Sequence, residues 1–148
     1  MLDRRWAWVA AFGVLAAACS GPRSRVKQGR VADTIDQTPD RRAFIEAIGI
    51  GASDPALPTD TQRKALARDA AIVKAQYELL SMLKGVALEG GITVQRAIEV
   101  DSTLEAKLRE TIKGAEVLKS EFTSDSGCVV TIRLPKHRIE DMMAVRWR

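Results

Sequence analysis

The most regular pattern of apolar and polar positions lies in TDTQRKALARDAAIVKAQYELLSMLKG, from Thr59 to Gly85. Apolar residues recur there at helical spacing, and charged residues fill the positions between them. The apolar face comprises Leu66, Ala70, Val73, Tyr77 and Leu80, widened by Ile72, Leu79 and Leu83. Thr59 and Gln62 match a capping box, and Gly85 can take the left-handed conformation that ends a helix. The pattern therefore predicts one long helix whose apolar face must be covered by a sheet or by another helix.

Alternating and β-rich stretches predict strands on both sides of this helix. AFIEAIGIGAS, which begins at Ala43, is predicted as the first strand, with Gly49 and Gly51 as structural positions. VALEGGITVQRAIEV, which begins at Val86, is rich in β-forming residues around two adjacent glycines, and it predicts a bent strand or a hairpin. AEVLKSEFT and CVVTIRL are separated by the turn sequence SDSG and predict an antiparallel hairpin.

A second, shorter helix is predicted in STLEAKLRETIKG. Ser102 and Glu105 match another capping box, a stripe of large apolar residues follows, and Gly114 ends the pattern. The predicted order of elements is β-α-β-α-β-β, over residues 43–135. This order is typical of an α+β fold, in which a small antiparallel sheet carries one long and one shorter helix on one face.

The first residues carry the pattern of a secretory signal. A charged start is followed by an uncharged apolar run from Trp6 to Ala18. This run is too short to cross a hydrocarbon core of about 30 Å, and it ends in small residues of the kind that precede a signal-peptidase site. We therefore predict a signal peptide over residues 1–18, a flexible polar tether over residues 19–42 and a C-terminal tail over residues 136–148.

The end of the apolar run, FGVLAAACSGP, resembles a bacterial lipoprotein signal, or lipobox. Ala17, Ala18 and Cys19 match the end of the lipobox, with Ala16 where a leucine is usual. The resemblance implies signal cleavage between Ala18 and Cys19 and a diacyl lipid of the palmitate type on the Cys19 thiol. Ser20, rather than an aspartate, follows Cys19, which implies sorting to the outer membrane. The alternatives are an uncleaved anchor and ordinary secretion with a free cysteine.

Composition argues against several kinds of chemistry. The net charge is +4, acidic and basic residues are interspersed, and aromatic residues make up 5% of the chain, so nucleic-acid binding is not expected. His137 is the single histidine and Cys128 is the one cysteine besides Cys19, so no catalytic residue, metal site or cofactor is predicted. Cys128 is predicted to be a buried core thiol, with an intermolecular disulfide as the alternative.

The chain ends in IEDMMAVRWR. Ile139, Met142 and Met143 would share a helical face there, and Trp147 follows between two arginines. One interpretation is a contact with a partner protein or with the membrane surface, where Trp and Arg are both common. The other interpretation is a terminal element packed on the domain's own sheet, or a frayed end.

Three stretches together resemble the Lpp-twenty family of small outer-membrane lipoproteins, which is related to the N-terminal domain of flagellar assembly protein T. They are IGIGAS in the first strand, QRKALARDAAIVKAQYELLSMLKG in the long helix, and IKGAEVLKSEF before the last hairpin. The resemblance implies a non-catalytic envelope protein associated with surface exposure, motility or the assembly of larger structures. Gly49, Gly51 and Gly114 correspond to structural positions of that family, and the tail lies outside the match.

The leading expectation is a non-catalytic outer-membrane lipoprotein that acts as an envelope structural or protein-interaction component, on the periplasmic side or at the cell surface. Its expected partners are the membrane, through the lipid, and an unidentified envelope protein, and an exposed edge of the last hairpin would favour a homo-oligomer. The alternative is a periplasmic binder of a small molecule or peptide, with a pocket between the long helix and the sheet. An enzyme ranks third, because it would need a carboxylate pair in a cleft.

Overall fold

A computed structural model of the chain describes residues 23–32, 43–88 and 90–144. In chain order the elements of these ranges are β1 (Val26–Lys27), β2 (Arg30–Val31), β3 (Phe44–Gly51), α1 (Asp60–Lys84), α2 (Val94–Val100), α3 (Thr103–Lys113), β4 (Glu116–Phe122), β5 (Cys128–Pro135) and α4 (Lys136–Met143). β1 and β2 form one antiparallel sheet, and β3, β5 and β4 form a second, with β5 in its centre. The prediction of an α+β fold is confirmed, with two small antiparallel sheets and four helices in the described ranges.

α1 lies on one face of the three-stranded sheet, where it contacts β3 and β5. It begins as predicted, because the Thr59 hydroxyl accepts a hydrogen bond from the N–H of Gln62 and the Gln62 side chain accepts one from the N–H of Thr59. Gly85 ends the helix at φ −82°, so the predicted left-handed conformation is wrong. The N–H of Gly85 donates hydrogen bonds to carbonyls of the last helical turn, and Gly85 itself keeps a right-handed backbone conformation.

Glycines on β3 meet alanines on α1, and this lets the two backbones approach closely. Ala67, Ala71 and Ala75 are fully buried. A Cβ added at Gly49 would lie closer than 3.0 Å to the carbonyl oxygen of Ala71. A Cβ added at Gly51 would lie 2.7 Å from the amide nitrogen of Ala71. Neither position has room for a methyl group, so both glycines are required by packing.

β5 supplies most of the remaining sheet side of the core. Its core-facing residues are Cys128, Val130, Ile132 and Leu134, and Val129 and Thr131 on the opposite face of the strand are buried as well. Cys128 is a free, fully buried thiol, as predicted, and burial raises its pKa. A raised pKa keeps the group in the thiol form, which is the unreactive form in disulfide exchange.

The segment after α1 does not form the predicted strand or hairpin ladder. Gly90 and Gly91 take positive φ values of 97° and 82°, so the chain turns sharply at these residues. A single bridge between Ala87 and Thr93 is all that the described residues show of a strand pair here. The predicted β-α-β-α-β-β order is therefore wrong at its third element.

The element that replaces this strand is α2. The Thr93 hydroxyl accepts a hydrogen bond from the N–H of Arg96 and caps the helix start. Val94 is buried, and Ala97 and Ile98 pack partly buried against the core. Their spacing of three and four residues is helical, so burial of one helix face overrides the β-propensity of valine and isoleucine.

α3 begins differently from the prediction and packs mainly against α1 and α4, not on the sheet face. Ser102 makes no side-chain capping bond, so the capping box with Glu105 is absent. The Asp101 carboxylate instead accepts hydrogen bonds from the hydroxyl of Thr103 at 2.7 Å and from its N–H at 2.9 Å, and these bonds lower the pKa of Asp101. An ionised carboxylate is a stronger acceptor than a serine hydroxyl, which accounts for the change of cap. Gly114 ends the helix as predicted.

Part of the segment predicted as a flexible tether forms the β1–β2 hairpin. Gln28 and Gly29 make its two-residue turn with φ values of 51° and 75°, as a type I′ turn requires. Glu121 on β4 holds the hairpin to the sheet by accepting hydrogen bonds from the N–H of Arg25 at 2.7 Å and from the hydroxyl of Ser24. The sequence signal for this hairpin is the Gln-Gly pair between two valine-containing stretches.

Part of the predicted tail also belongs to the fold. Ile139 on α4 is buried in the main core, and Met142 and Met143 pack partly buried against it. For α4, the interpretation as a terminal element packed on the domain is the one that the structure supports. His137 is an exposed residue of this helix. Trp147 lies outside the described residues.

We predict that Gly49→Ala lowers the free energy of unfolding by about 3 kcal/mol, because the new methyl group must push α1 away from β3. Urea unfolding of the full chain, followed by circular dichroism, measures this change. Gly85→Ala is the matched control, since the atom nearest to its Cβ is the carbonyl oxygen of Met82 at 3.7 Å. We expect the control to change stability by no more than about 0.5 kcal/mol. Equal losses in the two variants would contradict the close packing.

We also predict that Glu121→Gln destabilises the protein at pH 7 by about 1 kcal/mol, and that the difference becomes smaller as the pH falls below about 4.3. Burial opposes ionisation of Glu121, but hydrogen bonds from Arg25, Ser24 and Lys119 outweigh it, and the pKa of Glu121 is lowered. A lowered pKa in the folded state adds stability above the unfolded-state pKa of about 4.3, and this stability is lost as the pH falls through the folded-state pKa. Unfolding of both proteins across this pH range tests the prediction, and a constant difference would contradict it.

Candidate functional site

The most distinctive surface of the described chain lies on the side of α1 that faces away from the sheet. Leu66, Val73 and Tyr77 are 47%, 66% and 63% exposed there, and Ala70 between them is exposed as well. We call these four residues the α1 stripe. Single exposed apolar residues are ordinary on protein surfaces, whereas several adjacent ones indicate a contact site.

The sequence pattern predicts the α1 stripe as part of the buried face, and this prediction is wrong. The sheet accepts alanine only, because Gly49 and Gly51 bring the strand backbone against Ala71. The larger residues are therefore turned outward over the first two-thirds of α1. The part of the predicted face that is buried lies near the C-terminal end of the helix, at Leu79, Leu80 and Leu83.

At its C-terminal end the stripe meets α3 in a shallow groove. Leu80, the next residue in the spacing of the stripe, is 8% exposed. Val73, Tyr77 and Leu80 line the groove together with Ile112 of α3. Its volume is about 280 Å³, slightly below the roughly 300–1,000 Å³ of sites that bury a drug-sized molecule. Arg109 and Lys113 of α3 also line the groove, so cationic side chains stand on its α3 side.

The two flanks of the α1 stripe differ in charge. A helical projection places Asp69, Gln62 and Gln76 on one flank and Lys74 on the other. The Lys74 ammonium lies 2.8 Å from the Glu78 carboxylate and 5.1 Å from the ring centroid of Tyr77. Its hydrogen bond to Glu78 raises the pKa of Lys74, so the ammonium group stays charged beside the Glu78 carboxylate. Asp69 makes no ion pair with any described residue.

The three-stranded sheet has two edge strands, β3 and β4, and the β4 edge is poorly suited to pairing with another strand. β4 is an edge strand, and its register with β5 is irregular between Val117 and Lys119. Glu116, Lys119 and Glu121 place charges along the same strand. Irregular, charged edge strands resist pairing with a second strand. Strand pairing through the last hairpin is therefore a weaker route to an oligomer than a contact through α1.

The structure does not gather the predicted site residues into one place. Cys19 and Ala18, the predicted lipidation and cleavage residues, lie outside the described ranges. The predicted structural glycines serve two separate purposes, with Gly49 and Gly51 at the α1 contact and Gly85 and Gly114 at helix ends. The α1 stripe was missed as a surface, although its residues were identified as apolar.

The carboxylates with shifted acidity have local explanations. Hydrogen bonds from Lys64 and Ser126 lower the pKa of Asp60, and the Thr123 hydroxyl lowers that of Asp125. A lowered pKa is the opposite of what a general acid needs at neutral pH. Within ranges 23–32, 43–88 and 90–144, no group of three or more His, Cys, Asp and Glu could hold a metal ion. No helix in those ranges is long and apolar enough to cross a membrane.

The chain matches no protein-family model, no curated protein and no solved structure. The likeness to the Lpp-twenty family therefore stays a prediction from three sequence stretches. The exposure of the α1 stripe and the charged residues on its flanks are the observations that support a functional proposal.

Two adjacent alanines test which side of α1 is buried. We predict that Ala71→Leu costs about 3 kcal/mol, because Ala71 is fully buried against the sheet. Ala70→Leu should change stability by no more than about 0.5 kcal/mol, because Ala70 is exposed on the stripe. Urea unfolding of the two variants gives the comparison, and the reverse order of stabilities would contradict the orientation of α1.

Proposed function

We propose that this chain is a non-catalytic bacterial outer-membrane lipoprotein that acts as a structural or protein-interaction component of the envelope. The observation that carries the interaction role is the exposed α1 stripe. The anchor is supported by the sequence alone, through Ala17, Ala18 and Cys19, and Ser20 supports the outer membrane as its destination. The periplasmic side and the cell surface both fit this proposal, as does an association with motility.

The energetics of the stripe favour a protein contact. Apolar surface removed from water contributes about 25 cal/mol per Å². Leu66, Val73 and Tyr77 each expose about half or more of their surface, so a partner that covers them gains from burial without unfolding any part of the domain. Tyr77 is also an aromatic residue, the type that is enriched at protein interfaces.

The alternative of a small-molecule binder has less support. It requires a pocket between α1 and the sheet, where Gly49 and Gly51 lie in close contact with the helix backbone. The groove between α1 and α3 is open and close to the lower size limit for a ligand site. Neither place offers an enclosed space with converging polar groups.

The anchor is tested by the intact mass of the protein isolated from a membrane fraction. We expect a mass that lacks residues 1–18 and carries added acyl chains, because two or three chains give lasting attachment. Cys19→Ala should carry no acyl chains and should leave the membrane fraction. Cys128→Ala is the matched control, since it removes the other cysteine, and it should keep both the lipid and the membrane location.

A wild-type protein that is cleaved, unacylated and soluble would overturn the lipoprotein proposal. Cys19 would then be a free thiol in an oxidising compartment. In that case a soluble binding protein becomes the better hypothesis.

A further inference from the structure

We propose that the partner of the α1 stripe is a second copy of this chain. The two copies pack α1 against α1 in parallel, about a two-fold axis that runs along the helices. This inference rests on the interaction role proposed above and names its partner. It is carried by the spacing of the stripe, by the charges on its flanks and by the way α3 covers its C-terminal end.

The spacing of the stripe is that of a helix-helix seam. Leu66, Ala70, Val73 and Tyr77 follow one another at intervals of four, three and four residues. This alternation is the a/d spacing of a coiled coil, in which each side chain fits between side chains of the facing helix. The alanines that face the sheet instead recur every four residues, at Ala67, Ala71 and Ala75. One face of α1 therefore has the spacing that packs on the sheet, and another face has the spacing that suits a second helix.

Part of this seam is already covered by a helix within the chain. Leu80 continues the spacing three residues after Tyr77, and it is buried where α3 approaches. Ile112 of α3 lines the same groove as Leu80. The uncovered part lies directly upstream: Val73 and Tyr77 border the groove beside α3, and Leu66 and Ala70 lie before it. A second helix there would extend a helix contact that the fold already makes.

The charges on the two flanks favour a parallel second copy. In a parallel pair, a residue on one flank faces the residue five positions later on the opposite flank of the partner. Asp69 and Lys74 have this relation, and the two-fold axis makes the pair twice. An antiparallel pair would bring like flanks together, so Asp69 of one copy would not face Lys74 of the other. Lys74 is half exposed, so its ammonium group can contact Asp69 of the second copy as well as Glu78 at a small cost in free energy.

The size of the stripe sets the expected strength of the contact. A stable interface buries about 800 Å² per partner, and a seam of four residues, one of them alanine, covers less than that. We therefore expect weak association in dilute solution. A parallel pair carries both chain starts toward the same side, so two copies anchored in one membrane could associate without strain. The shared membrane raises their effective concentration.

Cysteine cross-linking in the full-length, detergent-solubilised protein tests the proposal. Equivalent seam positions face each other in a parallel pair, so Ala70→Cys should form a covalent dimer under mild oxidation. Ala106→Cys is the matched control, because Ala106 is an exposed alanine on α3. At equal protein concentration we expect about tenfold more dimer from Ala70→Cys than from this control, as the effective concentration at the seam requires. The wild type gives the background from its own cysteines.

A charge placed in the seam should abolish the cross-link. We expect Val73→Lys to reduce dimer formation by Ala70→Cys to the level of the Ala106→Cys control. Val100→Lys is the matched substitution, since Val100 is 82% exposed on α2 and away from the stripe. It should leave the yield of dimer unchanged. Circular dichroism confirms that both lysine variants are folded.

Three outcomes would overturn the proposal. Equal yields from Ala70→Cys and Ala106→Cys would exclude self-association through the seam. A dimer that forms only when Leu66→Cys and Tyr77→Cys proteins are mixed would show an antiparallel pair. A stripe cysteine that couples to a different envelope protein would leave the interaction role intact and refute the second copy. The intact mass reports the anchor separately, so failure of the lipoprotein proposal and failure of self-association are distinguishable.

Discussion

The close contact between the backbones of β3 and α1 is the constraint on which the rest of this structure depends. Gly49 and Gly51 have no Cβ, and the space that a Cβ would occupy is taken by the backbone of α1 around Ala71. Few voids remain at such a contact, and its packing cannot tolerate an added methyl group without movement of a whole element. The position of α1 then determines how α3 and α4 complete the core, because α3 packs against α1 and α4 packs against α3.

The same contact explains why this domain has an apolar outer surface. A helix that approaches a sheet closely can place only small residues at the contact, so its large apolar residues must find another partner. Leu80 finds one within the chain, near Ile112 of α3. Leu66, Val73 and Tyr77 do not, and they remain exposed in the described structure. Close internal packing and an exposed apolar stripe are two consequences of one arrangement of glycines and alanines.

Two further elements, the β1–β2 hairpin and α4, pack on the rest of the domain. The β1–β2 hairpin is held to β4 by Glu121, which places a short ordered unit between the proposed anchor and the sheet. α4 adds Ile139 to the core after the last strand. Charges and an irregular register discourage pairing along β4. The exposed side of α1 is the face that we propose for a partner.

Sequence alone determined those features whose causes are close together in the chain. The capping box of Thr59 and Gln62, the strand β5 and the turn between β4 and β5 each depend on neighbouring residues, and each could be predicted. The buried face of α1 could not, because it depends on Gly49, which lies on another element. α2 likewise forms because its apolar side can be buried against the core, which outweighs the β-propensity of its residues. Tertiary structure decided which apolar residues are core and which are surface, since only packing between distant segments distinguishes them.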